Sequence, residues 1–266
     1  MNTIYAAIAA AAVGAPAALA GSISVTIENT QGADGLALTP FWIAAHNGGF
    51  DSYDGGASAA GFPGLEEIAE LGMTGPISAA FAASAAGLAG GADTTVANGD
   101  GAPVFSGGES TTISFDVGDP TVNRYFSYAS MVVPTNDLFV ANGNPFAHEI
   151  FDAAGNFTGP VVIEIYGRDV NDAGTEVNDA DNGAAFLSGI DGAAGAKETA
   201  LVENYFDIDP DGSYLDSLLG RTTADGGTVG SRFGADDLIA RITIVPAPGG
   251  TALAALGLLT MSRRRR

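Results

Sequence analysis

Short β-rich runs, separated by loops rich in glycine, aspartate and asparagine, are the strongest constraint on the fold of this chain. The runs carry the β-branched and aromatic side chains that favour strands. Short strands interrupted in this way are typical of an all-β sandwich or barrel. We therefore predict an all-β fold, an antiparallel β-sandwich, with strands at residues 23–27, 111–117, 125–133, 161–166 and 238–245.

Helical signals are few. Residues 65–71 place apolar side chains at i, i+3, i+4 and i+6, with glutamates in the first turn and Gly72 directly after them, which predicts one short helix. Residues 76–90 are rich in alanine, and the pattern leaves open whether they form a second helix or a loop. Because no repeat or linker divides the chain between its two ends, we predict one domain over residues 21–245.

The charge and the cysteine content exclude several classes of protein. The chain has 31 acidic and 10 basic side chains, a formal net charge of −21. An anion of this density is repelled by nucleic-acid phosphates and by acidic lipid surfaces, so we expect no nucleic-acid partner. The absence of cysteine excludes cysteine nucleophiles, zinc fingers and iron–sulfur clusters.

The N-terminal segment predicts export. Residues 4–20 are apolar and small, and they end in Ala18-Leu19-Ala20, an A-x-A cleavage pattern. A strand-like run begins directly afterwards. We interpret residues 1–20 as a signal peptide, and the alternative is a buried alanine-rich helix.

The C-terminal segment, residues 246–266, combines a proline-rich hinge, an apolar stretch and four terminal arginines. As a helix, the apolar residues 251–261 would span about 16 Å, which is short of a bilayer core of about 30 Å. The segment resembles the PEP-CTERM sorting signal of Gram-negative bacteria, with Ala247 where that family usually has glutamate. This resemblance implies a partner of the exosortase type and a location outside the cell or on its outer surface, with at most a transient membrane anchor. A simple membrane tail is the alternative.

Two acidic segments are candidate metal sites. Asp137 follows the apolar strand 125–133, where a rigid scaffold positions a loop carboxylate well for a metal ion. Four carboxylates then fall within ten residues: Asp172, Glu176, Asp179 and Asp181. Oxygen ligands without histidine or cysteine favour Ca²⁺. The alternatives are a turn in which Asp137 caps its own backbone and a solvated acidic loop.

A third acidic segment contains Asp207, Asp209 and Asp211, spaced as in the first half of an EF-hand loop. Position 12 of that loop would be Leu218 instead of the bidentate glutamate. We interpret this segment as an ordinary turn. Its three aspartates, together with Asp179 and Asp181, are weaker candidates for metal ligands.

The sequence offers little for catalysis. No nucleophile elbow, zinc-protease motif or S-x-x-K motif is present, and we interpret His46 as a structural hydrogen-bonding residue in a turn. Two carboxylates suitable for glycoside hydrolysis can be found in any chain with 31 acidic residues, so their presence indicates nothing. We expect a protein that is not an enzyme.

Several segments together resemble the spondin N-terminal domain of extracellular matrix proteins. They follow the family order over most of the chain, and they are residues 38–40, 45–51, 64–70, 130–137, 172–176 and 240–244. The resemblance implies a β-sandwich of C2-like topology that holds one Ca²⁺ between two loops. Carried over position by position, the ligands would be Asp137, Asp172 and Glu176.

These observations lead to one functional expectation and two alternatives. We expect a calcium-binding, non-enzymatic extracellular module in cell adhesion or in an exopolysaccharide matrix, with a glycan or a matrix or surface protein as its partner. The alternatives are a secreted polysaccharide hydrolase and a purely structural acidic envelope protein. The hydrolase would need a deep cleft with two facing carboxylates, one of them with a raised pKa.

Overall fold

Two antiparallel sheets form the body of the protein in a computed structural model that describes residues 21–99 and 103–247. The predicted signal peptide and nearly all of the predicted sorting segment lie outside these residues. No helix in the described ranges is long and apolar enough to cross a membrane. The strands are, in chain order, β1 Ser22–Asn29, β2 Ala37–Leu38, β3 Phe41–His46, β4 Ala92–Val96, β5 Ser110–Asp116, β6 Tyr125–Val133, β7 Leu138–Ala141, β8 Val161–Tyr166, β9 Val170–Asp172, β10 Glu203–Asn204 and β11 Leu238–Pro246.

The first sheet has the order β5-β1-β11-β8, and its neighbouring strands are antiparallel. Side chains in β1 alternate between the two faces: Ile23, Val25 and Ile27 are buried, and the residues between them are half-buried. This alternation follows from the two-residue period of a strand with one face on the core and one towards solvent.

The second sheet has the order β10-β9-β7-β6-β3-β4, with the short β2 paired to β6. Strands β3 and β6 are buried on both faces, so their sequences run almost continuously apolar and lack alternation. The outer face is covered by short helices: α1 Leu65–Leu71, α2 Thr74–Ala83 and α3 Ala85–Leu88. Two further helices, α4 Tyr205–Ile208 and α5 Ser213–Ser217, lie in the long connection to β11.

The core has two main layers. The larger layer lies between the sheets and includes Ile27, Phe41, Val132 and Ile242. The other lies between the second sheet and the helices, where Trp42 and Phe81 are fully or almost fully buried with their rings 5.7 Å apart. The described residues belong to one compact unit.

The all-β sandwich prediction is confirmed, and each of the five predicted strands is present with its ends within one or two residues of the expected positions. Residues 65–71 form the predicted helix, and residues 76–90 lie largely in α2 and α3. The described part of the chain nevertheless has five short α-helices instead of the one or two expected. It also has six strands that the patterns did not indicate. Five of those six have five residues or fewer, and the sixth, β3, lacks alternation because both its faces are buried.

Candidate metal centre

Two of the predicted ligands lie at adjoining strand ends of the second sheet. Asp137 directly precedes β7, and Asp172 is the last residue of β9. Since β7 and β9 are antiparallel with Leu138 opposite Asp172, the sheet brings together two carboxylates that are 35 positions apart in the sequence. Both side chains are buried, and Asp137 is completely inaccessible.

Asp137 uses only one of its two carboxylate oxygens. Its Oδ2 accepts hydrogen bonds from the backbone amides of Thr175 at 2.8 Å and Glu176 at 3.1 Å, and from the Thr175 hydroxyl at 3.1 Å. Its Oδ1 is buried and has no hydrogen-bond partner among the residues that the structure describes. A buried carboxylate oxygen without a partner is unfavourable unless a proton or a cation satisfies it.

Asp172 lies in a polar pocket with Asn178. Its Oδ1 accepts a hydrogen bond from the Gly174 amide at 2.8 Å, and its Oδ2 accepts one from the Asn178 side-chain amide at 2.6 Å. The Asn178 side-chain oxygen is a second buried oxygen for which the described residues provide no partner. Sequence reasoning missed Asn178, although its position inside the acidic run is the kind of signal that marks an additional oxygen ligand.

Burial and mutual repulsion disfavour the charged forms of this pair. Burial raises the pKa of Asp137 well above its usual range, and the charge of Asp172 raises it further, although three hydrogen bonds oppose the shift. Burial likewise raises the pKa of Asp172. A bound cation would reverse both effects.

The third predicted ligand faces a different neighbour. Glu176 is fully buried, and its Oε1 lies 3.4 Å from the ammonium of Lys197, which also contacts Glu70 at 2.5 Å and Glu66 at 3.3 Å. The 3.4 Å contact is an ion pair without good hydrogen-bond geometry, since Glu176 Oε1 also has no hydrogen-bond partner within the described ranges. Burial and the charge of Glu70 raise the pKa of Glu176, and Lys197 opposes that shift. Lys197 is the single lysine of the chain.

The described residues contain no group of three or more histidine, cysteine, aspartate or glutamate side chains placed to hold a metal ion. The structure brings Asp137, Asp172 and Asn178 together, and the described residues provide no hydrogen-bond partner for Asp137 Oδ1 or for the Asn178 side-chain oxygen. The carboxylate of Glu176 instead pairs with Lys197. The assignment of all three carboxylates to one Ca²⁺ remains a prediction.

The weaker candidates have other contacts. Asp179 Oδ1 accepts a hydrogen bond from the amide of Asp181, and Asp181 forms an ion pair with Arg221. Asp207 lies within α4, so the segment does not form one continuous EF-hand-like loop.

Both oxygens of Asp209 are used at the start of α5. They accept hydrogen bonds from Tyr205, Ser213 and Tyr214. Burial alone would raise the pKa of Asp209, but these hydrogen bonds lower it to about 2. Beside it, the backbone oxygen of Asp211 accepts a hydrogen bond from Arg232.

His46 is buried in a small hydrogen-bond network. Its Nδ1 accepts a hydrogen bond from the Gly48 amide at 2.9 Å, so the ring proton lies on Nε2, which donates to the Ser127 hydroxyl at 2.7 Å. Burial lowers the pKa of His46 to about 4. These contacts agree with the interpretation of His46 as a structural residue.

Comparison with known proteins adds no relative to this description. No protein-family model matches the chain, and no curated protein matches it. The resemblance to the spondin N-terminal domain therefore rests on the segments quoted above.

Proposed function

We propose that this protein is an exported, non-enzymatic β-sandwich module that binds Ca²⁺ between the loop before β7 and the loop after β9. The proposal rests on one observation above all: next to the second buried carboxylate, that of Asp172, the buried Asp137 carboxylate has an oxygen for which the described residues provide no partner. Two such groups are expensive to keep charged in the interior, and a divalent cation would turn their repulsion into a contact that joins the two loops.

The chemistry of the available donors favours calcium. Asp137 and Asp172 supply carboxylate oxygens and Asn178 supplies an amide oxygen, and hard oxygen donors of this kind suit Ca²⁺ better than transition metals. In our proposal these three residues hold the ion. Glu176, which the family resemblance implies as a ligand, pairs with Lys197 and is not one of the three.

The proposed location outside the cell rests on the two ends of the sequence, and the proposed role rests on the resemblance to matrix proteins. We propose that the module contributes to adhesion or to an exopolysaccharide matrix, where calcium stabilises it. For free calcium 100-fold above the dissociation constant, linkage predicts a stabilisation of about 2.7 kcal/mol. For a domain of this size such a gain raises the melting temperature by roughly 5–10 °C.

A calcium titration tests the proposal. The protein is melted in EDTA and in increasing Ca²⁺, with Mg²⁺ as the control ion. A saturable rise in melting temperature with Ca²⁺ that Mg²⁺ does not reproduce is the expected result. Identical melting curves in EDTA and in millimolar Ca²⁺ would reject the metal site.

The non-enzymatic part of the proposal has its own test. The protein is incubated with neutral and acidic polysaccharides, with and without Ca²⁺, and new reducing ends are measured. We expect none above the level of a heat-denatured sample. Their time-dependent release would instead support the hydrolase alternative.

A further inference from the structure

A polar cleft, separate from the candidate metal centre, opens at one edge of the sandwich. It has a volume of about 400 Å³ and is lined by residues of β6, β7, β8, β9 and β10 and of the loops beside them. This volume lies in the usual range of small-molecule sites, about 300–1,000 Å³.

Tyr128 provides the main reason to regard the cleft as a binding site. Its side chain comes from β6, is 5% exposed and lines the cleft. Its hydroxyl forms no hydrogen bond with any residue in the described ranges, and its oxygen is not among the enclosed atoms, so it is accessible from the cleft. The hydroxyl therefore has an unused donor and an unused acceptor in the cleft.

Other polar groups converge on the same space. The Tyr53 hydroxyl accepts a hydrogen bond from the side-chain amide of Asn171 at 3.1 Å. The His148 ring lies 6.0 Å from the Tyr128 ring, and neither of its nitrogens has a hydrogen-bond partner in the described part of the chain. Burial raises the pKa of both Tyr53 and Tyr128, and the charge of Asp169 raises both further, which is consistent with three groups around one space.

A glycine makes room for one of the two aromatic rings. The ring of Tyr53 packs edge-on against Phe139, with the centroids 5.2 Å apart. A Cβ atom on Gly143 would come within 2.9 Å of Tyr53 Cζ. An alanine at position 143 would therefore require the Tyr53 ring to shift from its present place in the lining of the cleft.

The charges around the cleft disfavour an anionic ligand. The lining carboxylates Glu164 and Asp169 outnumber the single guanidinium of Arg168, which forms an ion pair with Asp236 outside the cleft. Burial lowers the pKa of His148, so its ring is neutral at pH 7. The chain as a whole carries a net charge of −21. A ligand with many neutral donors and acceptors fits this lining better than a phosphate, sulfate or uronic acid.

We propose that this cleft binds a neutral sugar unit of a glycan or polysaccharide, with the Tyr128 hydroxyl as a direct hydrogen-bonding partner. Hydroxyl groups of a sugar would hydrogen-bond to Tyr128 and His148, whose side chains have no such partner among the described residues, and the apolar ring faces of the sugar would contact the phenol rings. The inference rests on the matrix association in the proposed function and names a class of partner for it. It does not depend on the calcium site, because different side chains form the two sites.

The test measures sugar binding by the whole protein. Saturation-transfer NMR and titration calorimetry are run in Ca²⁺ with neutral disaccharides containing glucose, galactose, mannose or N-acetylglucosamine. A disaccharide containing glucuronate is the charged comparison. The same ligands are then measured with Tyr128→Phe, which removes one oxygen atom and keeps the ring. The matched control is Tyr125→Phe, whose ring contacts Phe146 and does not line the cleft.

We expect at least one neutral disaccharide to bind, and Tyr128→Phe to weaken it about five- to tenfold while Tyr125→Phe leaves the affinity unchanged. Equal melting temperatures of the two variants would exclude loss of folding as the cause. Absence of binding at 10 mM of every neutral sugar, preferential binding of the glucuronate sugar, or equal affinities of Tyr128→Phe and the wild type would each overturn the proposal. Sugar binding without a calcium-dependent melting shift would reject the metal site alone, and the reverse result would reject only the cleft.

Discussion

Asp137 and Asp172 end up beside each other in the interior because Leu138 of β7 pairs with Asp172 of β9. The pairing places one carboxylate just before a strand and the other at the end of its neighbour. Asp137 Oδ1 then has no partner within the described ranges, and the charge of Asp172 adds to the effect of burial on the Asp137 pKa. Without a cation, the two buried carboxylates therefore destabilise the fold when they are charged. With a cation bound between them, they would stabilise it.

Asp137→Asn is expected to abolish stabilisation by calcium and to stabilise the calcium-free protein at pH 8. An asparagine oxygen can take the place of Asp137 Oδ2 at the amides of Thr175 and Glu176, and its NH₂ group would then face the space near Asp172. The substitution removes the repulsion without leaving the amides unpaired, while a calcium ion loses a charged ligand. Melting curves in EDTA and in Ca²⁺ measure both effects.

Asp181→Asn is the matched control for that experiment. Asp181 lies in the same acidic segment, but its side chain is exposed and pairs with Arg221. We expect it to retain the calcium-dependent shift of the wild type. A shift lost equally in Asp137→Asn and Asp181→Asn would mean that calcium acts on the overall negative charge, and a shift kept in both would reject Asp137 as a ligand.

The sequence predicts the strands in which apolar side chains either alternate with polar ones or follow one another without interruption over five or more residues. β1 and β11 show the pattern of a sheet with one covered face, and β6 is long and apolar. The strands that the sequence does not predict depend on pairing with neighbouring strands. β7 and β9 have four and three residues, so hydrogen bonds from adjoining strands define them more than their own composition does.

The same reasoning explains which part of the candidate site is visible in the sequence. The proximity of Asp137 and Asp172 depends on strand pairing, and it was inferred from a family resemblance instead of from the residues alone. The contact between Glu176 and Lys197 depends on a loop that folds back against α1, where Lys197 also contacts Glu70. No local pattern around Glu176 indicates that lysine.

Lys197→Met is expected to destabilise the protein by about 1–3 kcal/mol. The substitution keeps the aliphatic part of the side chain but leaves Glu70 and Glu176 buried without a counter-charge. Loss of one partner from a buried pair costs about 3–5 kcal/mol, and the exposure of half the lysine side chain reduces this effect. Denaturant unfolding of the single variant and of Lys197→Met/Glu176→Gln measures the coupling, and the double variant should recover part of the loss.

Glu176→Gln distinguishes a role of this glutamate as the ion-pair partner of Lys197 from a role as a calcium ligand. If the Glu176 carboxylate only forms the ion pair with Lys197, the variant keeps the calcium-dependent rise in melting temperature. Its free energy of unfolding then decreases to a similar extent in EDTA and in Ca²⁺. We expect this result from the contact with Lys197. Loss of the calcium effect in Glu176→Gln would instead make Glu176 a ligand, as the family resemblance implies.

Gly195→Ala is expected to destabilise the protein by about 1–3 kcal/mol for a steric reason alone. A Cβ atom at this position would lie 2.0 Å from Glu176 Oε2, and Gly195 has a backbone conformation that alanine adopts without strain. Gly75→Ala in α2 is the control, since nothing lies within 4 Å of its Cβ position. Alanine there should stabilise the helix by about 0.5–1 kcal/mol. Similar changes in the two variants would show that Glu176 is not packed against Gly195.

His46 predicts a loss of stability in mild acid. Burial lowers its pKa to about 4, and no charged group contributes to the shift. In the unfolded chain its pKa returns to about 6.5, so the unfolded state binds a proton first as the pH falls. The stabilisation that the neutral His46 gives to the folded state is therefore complete above pH 6.5, and it decreases as the pH falls to about 4. The difference between these two pKa values corresponds to at most about 3 kcal/mol of the free energy of unfolding.

His46→Gln isolates this contribution, because glutamine does not titrate and its NH₂ group can replace Nε2 as the donor to Ser127. Denaturant unfolding of both proteins is measured in EDTA at pH 6.5, 5.5 and 4.5. The buried carboxylates affect both proteins in the same way and cancel in the difference. We expect the free energy of unfolding to fall more in the wild type than in His46→Gln over this range. The difference in stability between the two proteins therefore narrows or reverses. A gap that stays constant from pH 6.5 to 4.5 would show that His46 is protonated in the folded protein as readily as in the unfolded chain.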